Sequence, residues 1–226
     1  VNGATGLLQA ALLALARPGQ AVLMPRNSHR SLFQACVLGG ITPVFFEPPF
    51  LEERGHYGAL DLKVLNAVFD DSSNFQVDIA AAILVSPTYH GYANDIKSLI
   101  KKIHSKGIPV LVDEAHGAHF ASSLESNLPD SAFVGEADLI VHSLHKSSVG
   151  LSQTAVLWLL GDRVDPLVVE RSLGLLQTTS PNSLLLASCE AALNDLTNLF
   201  GRSRLCERLH EARKLSKDLE KKGIPL

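Results

Sequence analysis

The sequence predicts an α/β fold built on a mostly parallel sheet flanked by helices, and two observations carry that prediction. Short runs such as Ile83-Leu84-Val85 and Val110-Leu111-Val112 are apolar at every position instead of at alternate ones. A strand covered on both faces needs that pattern, and such strands belong mostly to parallel sheets. Segments with helical spacing separate the runs, and strand–helix alternation of this kind builds a doubly wound sheet.

In chain order, residues 5–16 predict the first helix, closed by Pro18-Gly19, and residues 21–24 the first strand. A helix over 31–38 ends at Gly39-Gly40, and a strand over 43–47 follows it. Residues 48–58 read as an irregular insertion. Next come a helix over 60–69, a strand over 80–86 and a helix over 96–106 that Gly107 stops. Three more strands are expected over 109–113, 139–145 and 155–160. There the alternation ends. Residues 181–199 predict a long helix with Pro181 in its first turn, and residues 202–222 a charged amphipathic one. Residues 1–200 thus read as one domain and 201–226 as a helix leading towards another. The sequence opens inside a turn without an initiator Met and stops on an apolar end, so it reads as a piece of a longer protein.

Composition narrows the function. With 46% hydrophobic and 19% charged residues the chain can bury a substantial core, which excludes disorder. A net charge of −3 shows no basic excess, so nucleic acid is not an expected partner. No apolar run reaches the roughly 18 residues of a membrane span. Cys36, Cys189 and Cys206 fit no paired metal-ligand spacing, and reduced thiols in the cytoplasm are the plain reading.

In an open parallel sheet, functional groups gather beyond the carboxyl ends of the strands. Those ends carry Asp113-Glu114-Ala115-His116, His142-Ser143-Leu144-His145-Lys146, Ser86-Pro87-Thr88-Tyr89 and Pro25-Arg26-Asn27-Ser28-His29. Asn2-Gly3-Ala4-Thr5-Gly6 opens the first helix, where free N–H groups and the helix dipole favour a phosphate. Lys146 is expected on the floor of the crevice, partly desolvated, and desolvation favours the neutral amine that attacks a carbonyl. Taken alone, a lysine at a strand end is a surface residue; its neighbours argue otherwise. Asp113 can hold a ring nitrogen protonated or simply form a turn. His29 can stack on a flat ring or sit half-buried in a loop. His116 with His119, and His142 with His145, lack helical spacing and a third ligand, so no metal is expected. Ser143 lacks the glycine-flanked elbow of a hydrolase nucleophile.

Taken together, these residues resemble the ornithine/lysine/arginine decarboxylases of the aspartate-aminotransferase fold, a pyridoxal phosphate family. Ser143-Leu144-His145-Lys146 looks like its S-x-H-K signature, and residues 112–119 look like its strand end carrying the ring-nitrogen carboxylate. Arg26-Asn27-Ser28-His29-Arg30-Ser31 is similar to its ring-stacking segment, and residues 2–6 to its phosphate turn. Ser86-Pro87-Thr88-Tyr89-His90-Gly91 and Thr178-Thr179-Ser180-Pro181 complete six matches in the family's order.

The resemblance implies a fold-type I, transferase-like large domain that binds pyridoxal 5'-phosphate. Lys146 would be its covalent anchor, Asp113 the partner of its ring nitrogen and His29 the stacking ring. Ala4, Thr5 and Gly6 would hold the phosphate, with Ser143, His116 and Thr88 around the cofactor. Thr178 and Thr179 would reach the phosphate of a neighbouring subunit. His145 or Lys146 would return a proton to the α-carbon. The implied reaction decarboxylates arginine, lysine or ornithine to an amine and CO2 in a homodimer or larger homo-oligomer. Glu114 and Asp95 are candidates for meeting the substrate's distal cation.

Ala4 stands where relatives often carry a hydroxyl, and Arg30 where they carry lysine. His116 replaces the tryptophan of the large inducible decarboxylases, which points to the shorter branch without the wing domain. Two alternatives stay open. One is another fold-type I enzyme, an aminotransferase or side-chain lyase; the other is a catalytically inactive dimer scaffold.

Overall fold

A computed structural model describes residues 3–71, 78–122 and 128–224 of the chain. Asn2, the first residue of the expected phosphate turn, lies outside the described residues. A six-stranded sheet runs in the order β2-β1-β5-β6-β7-β8, formed by β1 (Ala21–Pro25), β2 (Thr42–Phe46), β5 (Ile79–Val85), β6 (Val110–Asp113), β7 (Leu139–Ser143) and β8 (Ala155–Leu159). Every pairing is parallel except β7 with β8. The chain first winds outward from β1 to β2, then returns to add β5 on the other side of β1. That reversal opens a crevice at the carboxyl ends of the strands.

Both faces of the sheet are covered, which explains the uniformly apolar runs. Val22, Met24, Ile83, Leu111 and Val141 pack with Leu7, Leu8 and Leu12 of helix α1 (Gly3–Leu15). Their strand neighbours Leu23, Leu84, Val112 and Ile140 point the other way. There they meet Ile96, Leu99, Ile100 and Ile103 of α4 (Ile96–His104) and Leu65 of α3 (Leu62–Asp71). Helix α2 (Arg30–Gly39) ends at Gly40, whose φ of 60° gives the left-handed cap that glycine adopts without strain.

Four expectations are corrected. The strand over 139–145 stops at Ser143, and α5 (Leu144–Ser147) makes one helical turn. Leu144 N–H still donates to the Thr154 carbonyl, but Thr154 N–H turns to the Leu151 carbonyl and the Leu144 carbonyl accepts from Gly150 N–H, so the ladder with β8 goes no further. The insertion over 48–58 is a small hairpin of β3 (Phe50–Leu51) and β4 (His56–Tyr57). Helix α6 (Pro166–Leu176) was not anticipated, although Asp165 caps it and Pro166 opens it. The long helix over 181–199 is shorter, α7 (Ser183–Thr197), and Asn198 both closes it and caps α8 (Leu199–Lys221).

Helix α7 reaches back to the Lys146 turn. Ala192 and Leu196 bury against Leu144 and Ala118, Ser148 Oγ donates to the Ala192 carbonyl, and Leu151 N–H donates to Ser188 Oγ. Among the described residues no helix is long and apolar enough to cross a membrane, and none of Cys36, Cys189 and Cys206 is in a disulfide.

Candidate active site

A cavity of about 620 Å³ opens at the carboxyl ends of β1, β5, β6 and β7. Asp113 closes β6 with its side chain buried, and its carboxylate accepts from Ala115 N–H at 3.1 Å. Asp113 therefore makes a turn and also lines the cavity. Burial pushes the Asp113 carboxyl above its usual range, against the pull of that amide and of the positive charges of His29 and Lys146. A carboxylate this desolvated favours a cation placed against it.

Lys146 rides on α5 and lines the same cavity. It is exposed, contrary to the expected desolvation, because the helical turn lifts it off the strand end. Its Nζ lies 3.0 Å from His116 Nε2. Burial, then the charges of Lys146 and His29, pushes His116 below 6.5, which suits it as a neutral acceptor for the ammonium. Tyr89 packs edge-on against His116, with ring centroids 5.7 Å apart.

His29 caps α2, its Nδ1 accepting from Ser31 N–H at 3.2 Å, which fixes the ring at the cavity wall. His145 Nδ1 lies 3.3 Å from the Thr154 carbonyl, an acceptor only, so Nδ1 is the donor in that contact and, in the neutral tautomer it selects, Nε2 is the bare nitrogen. Ser143 Oγ sits 3.2 Å from the same nitrogen. Ala4 and Thr5 line the cavity from the first turn of α1, where backbone N–H groups have no helical partner. Gly3 N–H instead donates to the Gln153 carbonyl at 2.8 Å, tying this helix end to the loop that follows Lys146. Gln153 holds a φ of 74°, a left-handed conformation that costs a non-glycine residue about 1 kcal/mol.

The fold thus brings Ala4, Thr5, His29, Asp113, His116, Ser143, His145 and Lys146 to one cavity. Four expected residues stand elsewhere. Gly6 lies beneath Gln177, whose Nε2 would be 2.7 Å from a Cβ there. Thr88 is buried and accepts from Tyr92 N–H, closing its own loop. Thr178 lines a second cavity of about 430 Å³, and Thr179 lines neither. A role for Thr178 and Thr179 in a neighbouring subunit needs no contact within their own chain.

Glu114 and Asp95 cannot greet a substrate cation in this arrangement. Glu114 is fully buried and accepts from Ser131 Oγ, Ala132 N–H and His142 Nε2, while Asp95 caps α4. Among the described residues no group of three or more His, Cys, Asp or Glu could hold a metal ion.

Asn27 and Ser28, named above only as members of a motif, also line the cavity, as do Ser152 and Gln153. Asn27 Oδ1 and Ser28 Oγ are buried without a hydrogen-bond partner, and a polar ligand would satisfy them. The donor set fits pyridoxal phosphate: a buried acid for a cationic nitrogen, free helix amides for a phosphate, an amine for an aldehyde. A Cβ at Gly117 would stand 2.7 Å from both Glu114 Cγ and Pro87 Cδ. Gly117→Ala is therefore expected to cost about 1–3 kcal/mol of stability, read as a lowered urea midpoint.

Comparisons with known proteins give the family and the fold. The chain is 34% identical to the arginine decarboxylase of Bacillus subtilis over 192 residues, 85% of this chain and 38% of that protein. It is 33% identical to the arginine decarboxylase of Halalkalibacterium halodurans over 196 residues, 87% of this chain and 39% of that protein. The chain therefore spans well under half the length of these relatives.

Among solved structures, Escherichia coli constitutive lysine decarboxylase superposes with a TM-score of 0.84 at 19% identity, over 97% of this chain and 32% of that one. A Thermus thermophilus aspartate aminotransferase superposes at 0.67 and 18%, over 99% and 55%. The fold is the aspartate aminotransferase-like, fold-type I architecture. The family described as Orn/Lys/Arg decarboxylase, major domain, matches residues 1–224, and the chain belongs to that family.

Proposed function

We propose that this chain is the cofactor-binding part of a pyridoxal-phosphate-dependent enzyme that decarboxylates a basic amino acid. One observation carries the reading: the amine of Lys146 and the buried acid of Asp113 face a single cavity that also receives the amino end of α1. When bound, pyridoxal phosphate supplies an aldehyde that condenses with amines and a ring that draws electrons from the reacting carbon.

The chain's own residues do the rest. Asp113 holds a proton on a ring nitrogen placed against it, because its buried carboxylate gains most from a cation. His29 offers a flat face fixed by its bond to Ser31. The α1 amides of Ala4 and Thr5 point at an anion. Lys146 is the covalent anchor, and His116 orients its Nζ by accepting a hydrogen bond. His145 presents Nε2 as a base, the other candidate beside Lys146 for moving a proton at the α-carbon.

Arginine is the first substrate to try, because the two relatives above are named arginine decarboxylases. The remaining parts of the proposal are a cytoplasmic homodimer or larger homo-oligomer, with residues 1–200 as the cofactor domain and α8 leading to a further one. The test uses the full-length protein, given pyridoxal phosphate and offered arginine, lysine or ornithine in turn. Release of CO2 with the matching amine is expected, as is a borohydride-trapped cofactor adduct on the peptide holding Lys146. Transfer of the amino group without CO2, or an adduct on another lysine, would refute it.

A further inference from the structure

Behind the cavity lies a polar cluster that the proposed chemistry does not use. Glu114 and His142 are adjacent in sequence to Asp113 and Ser143, which line the cavity, and both are fully buried. His142 Nε2 and Glu114 Oε2 are 2.6 Å apart, and Trp158 Nε1 on β8 lies 3.2 Å from His142 Nδ1. Ser131 Oγ and Ala132 N–H donate to the two Glu114 oxygens at 2.7 and 2.8 Å.

The proton arrangement is fixed by chemistry. An indole N–H can only donate, so His142 Nδ1 accepts and the ring's proton sits on Nε2. That proton can only be given to Glu114. The carboxylate is then saturated by donors, and none of these groups can be lost cheaply in a buried site. Glu114 N–H also donates to the Val141 carbonyl, continuing the β6–β7 ladder. Strands β6, β7 and β8 and the connection before β7 are thus tied at one point.

We infer that Glu114, His142 and Trp158 are positioning residues, a buried relay whose single allowed hydrogen-bond order sets where Asp113 stands relative to the Lys146 turn. This rests on the function proposed above, since it assigns those two residues a joint task. Asp113 immediately precedes Glu114, and α5 begins two residues beyond His142. A shift of either strand end would separate groups that must grip one small ring.

Two variants of the full-length protein separate positioning from mere filling. In His142→Gln the amide can donate to Glu114 and its carbonyl can accept from Trp158, so both bonds survive. In His142→Leu the volume is similar and neither bond exists. We expect His142→Gln to keep kcat within about threefold. His142→Leu should lower kcat on the order of 100-fold with KM and cofactor Kd changed only a few-fold.

Equal retention or equal loss in the two variants overturns the inference alone. Should His142→Leu fail to fold, Trp158→Phe serves, removing one donor at a site outside the cavity and lowering kcat without changing cofactor Kd. A readout independent of activity is the nitrogen-15 spectrum of the imidazoles in cofactor-free protein. His142 should show a protonated Nε2 and a bare Nδ1, and the opposite tautomer overturns the relay. If wild-type protein yields no trapped adduct on Lys146, the cofactor reading falls and the inference with it, whatever the tautomer.

Discussion

Lys146→Ala is expected to lose the borohydride-trapped adduct entirely and to slow decarboxylation by at least ~10³-fold. The change removes the one lysine that, among the described residues, lines the cavity with Asp113. Folding should survive, because Lys146 is exposed and its hydrogen bond runs to His116, not into the core. Lys146→Arg sharpens the point. It keeps a positive charge beside His116, yet a guanidinium stays protonated and cannot condense with an aldehyde. Equal loss in both variants, followed by mass analysis of the trapped peptide, separates covalent anchoring from electrostatics. Activity close to wild type in the arginine variant would defeat the assignment.

Asp113→Asn should retain cofactor weakly and lose on the order of 10²–10⁴-fold in kcat. An amide oxygen can still accept from Ala115 N–H, so the turn persists while the charge is gone. The same substitution makes an opposite prediction for stability. Burial raises the Asp113 carboxyl above 3.8, so between that value and the raised one the folded protein binds more protons than the unfolded chain. Its contribution is therefore complete below 3.8 and is lost as pH rises through the raised value. Cofactor-free Asp113→Asn should then unfold at a higher urea concentration than wild type at neutral pH, with the gap closing near pH 4. Lower stability of the variant at neutral pH would show that the carboxylate is already paired.

The sheet was legible because its strands are buried on both faces, which leaves no room for polar residues inside 21–24, 80–85 or 109–112. The chemistry at the strand ends was legible for a related reason. Polar groups such as Asp113 and Lys146 stand out directly after apolar runs. What escaped depends on partners distant in the chain. Glu114 reads as a free acid beside the crevice until Ser131 and Ala132, far along the sequence, fold back to bond it. The one-turn helix under Lys146 begins where Thr154 N–H turns to Leu151 and the Leu144 carbonyl to Gly150, bonds that no local propensity announces. The orphaned Asn27 and Ser28 belong to a motif that was noticed, but burial without a partner is a tertiary property. Helix α6 is the opposite case, since Asp165-Pro166 is a start signal written plainly in the sequence.

Asn198 has a mechanical consequence. Because one residue ends α7 and begins α8, there is no slack between a short rod and a long one of 23 residues, about 35 Å end to end. The short rod is bolted through Ala192 and Leu196 to the turn that bears Lys146. A displacement of α8 therefore meets no linker before α7, which packs on the turn that carries Lys146.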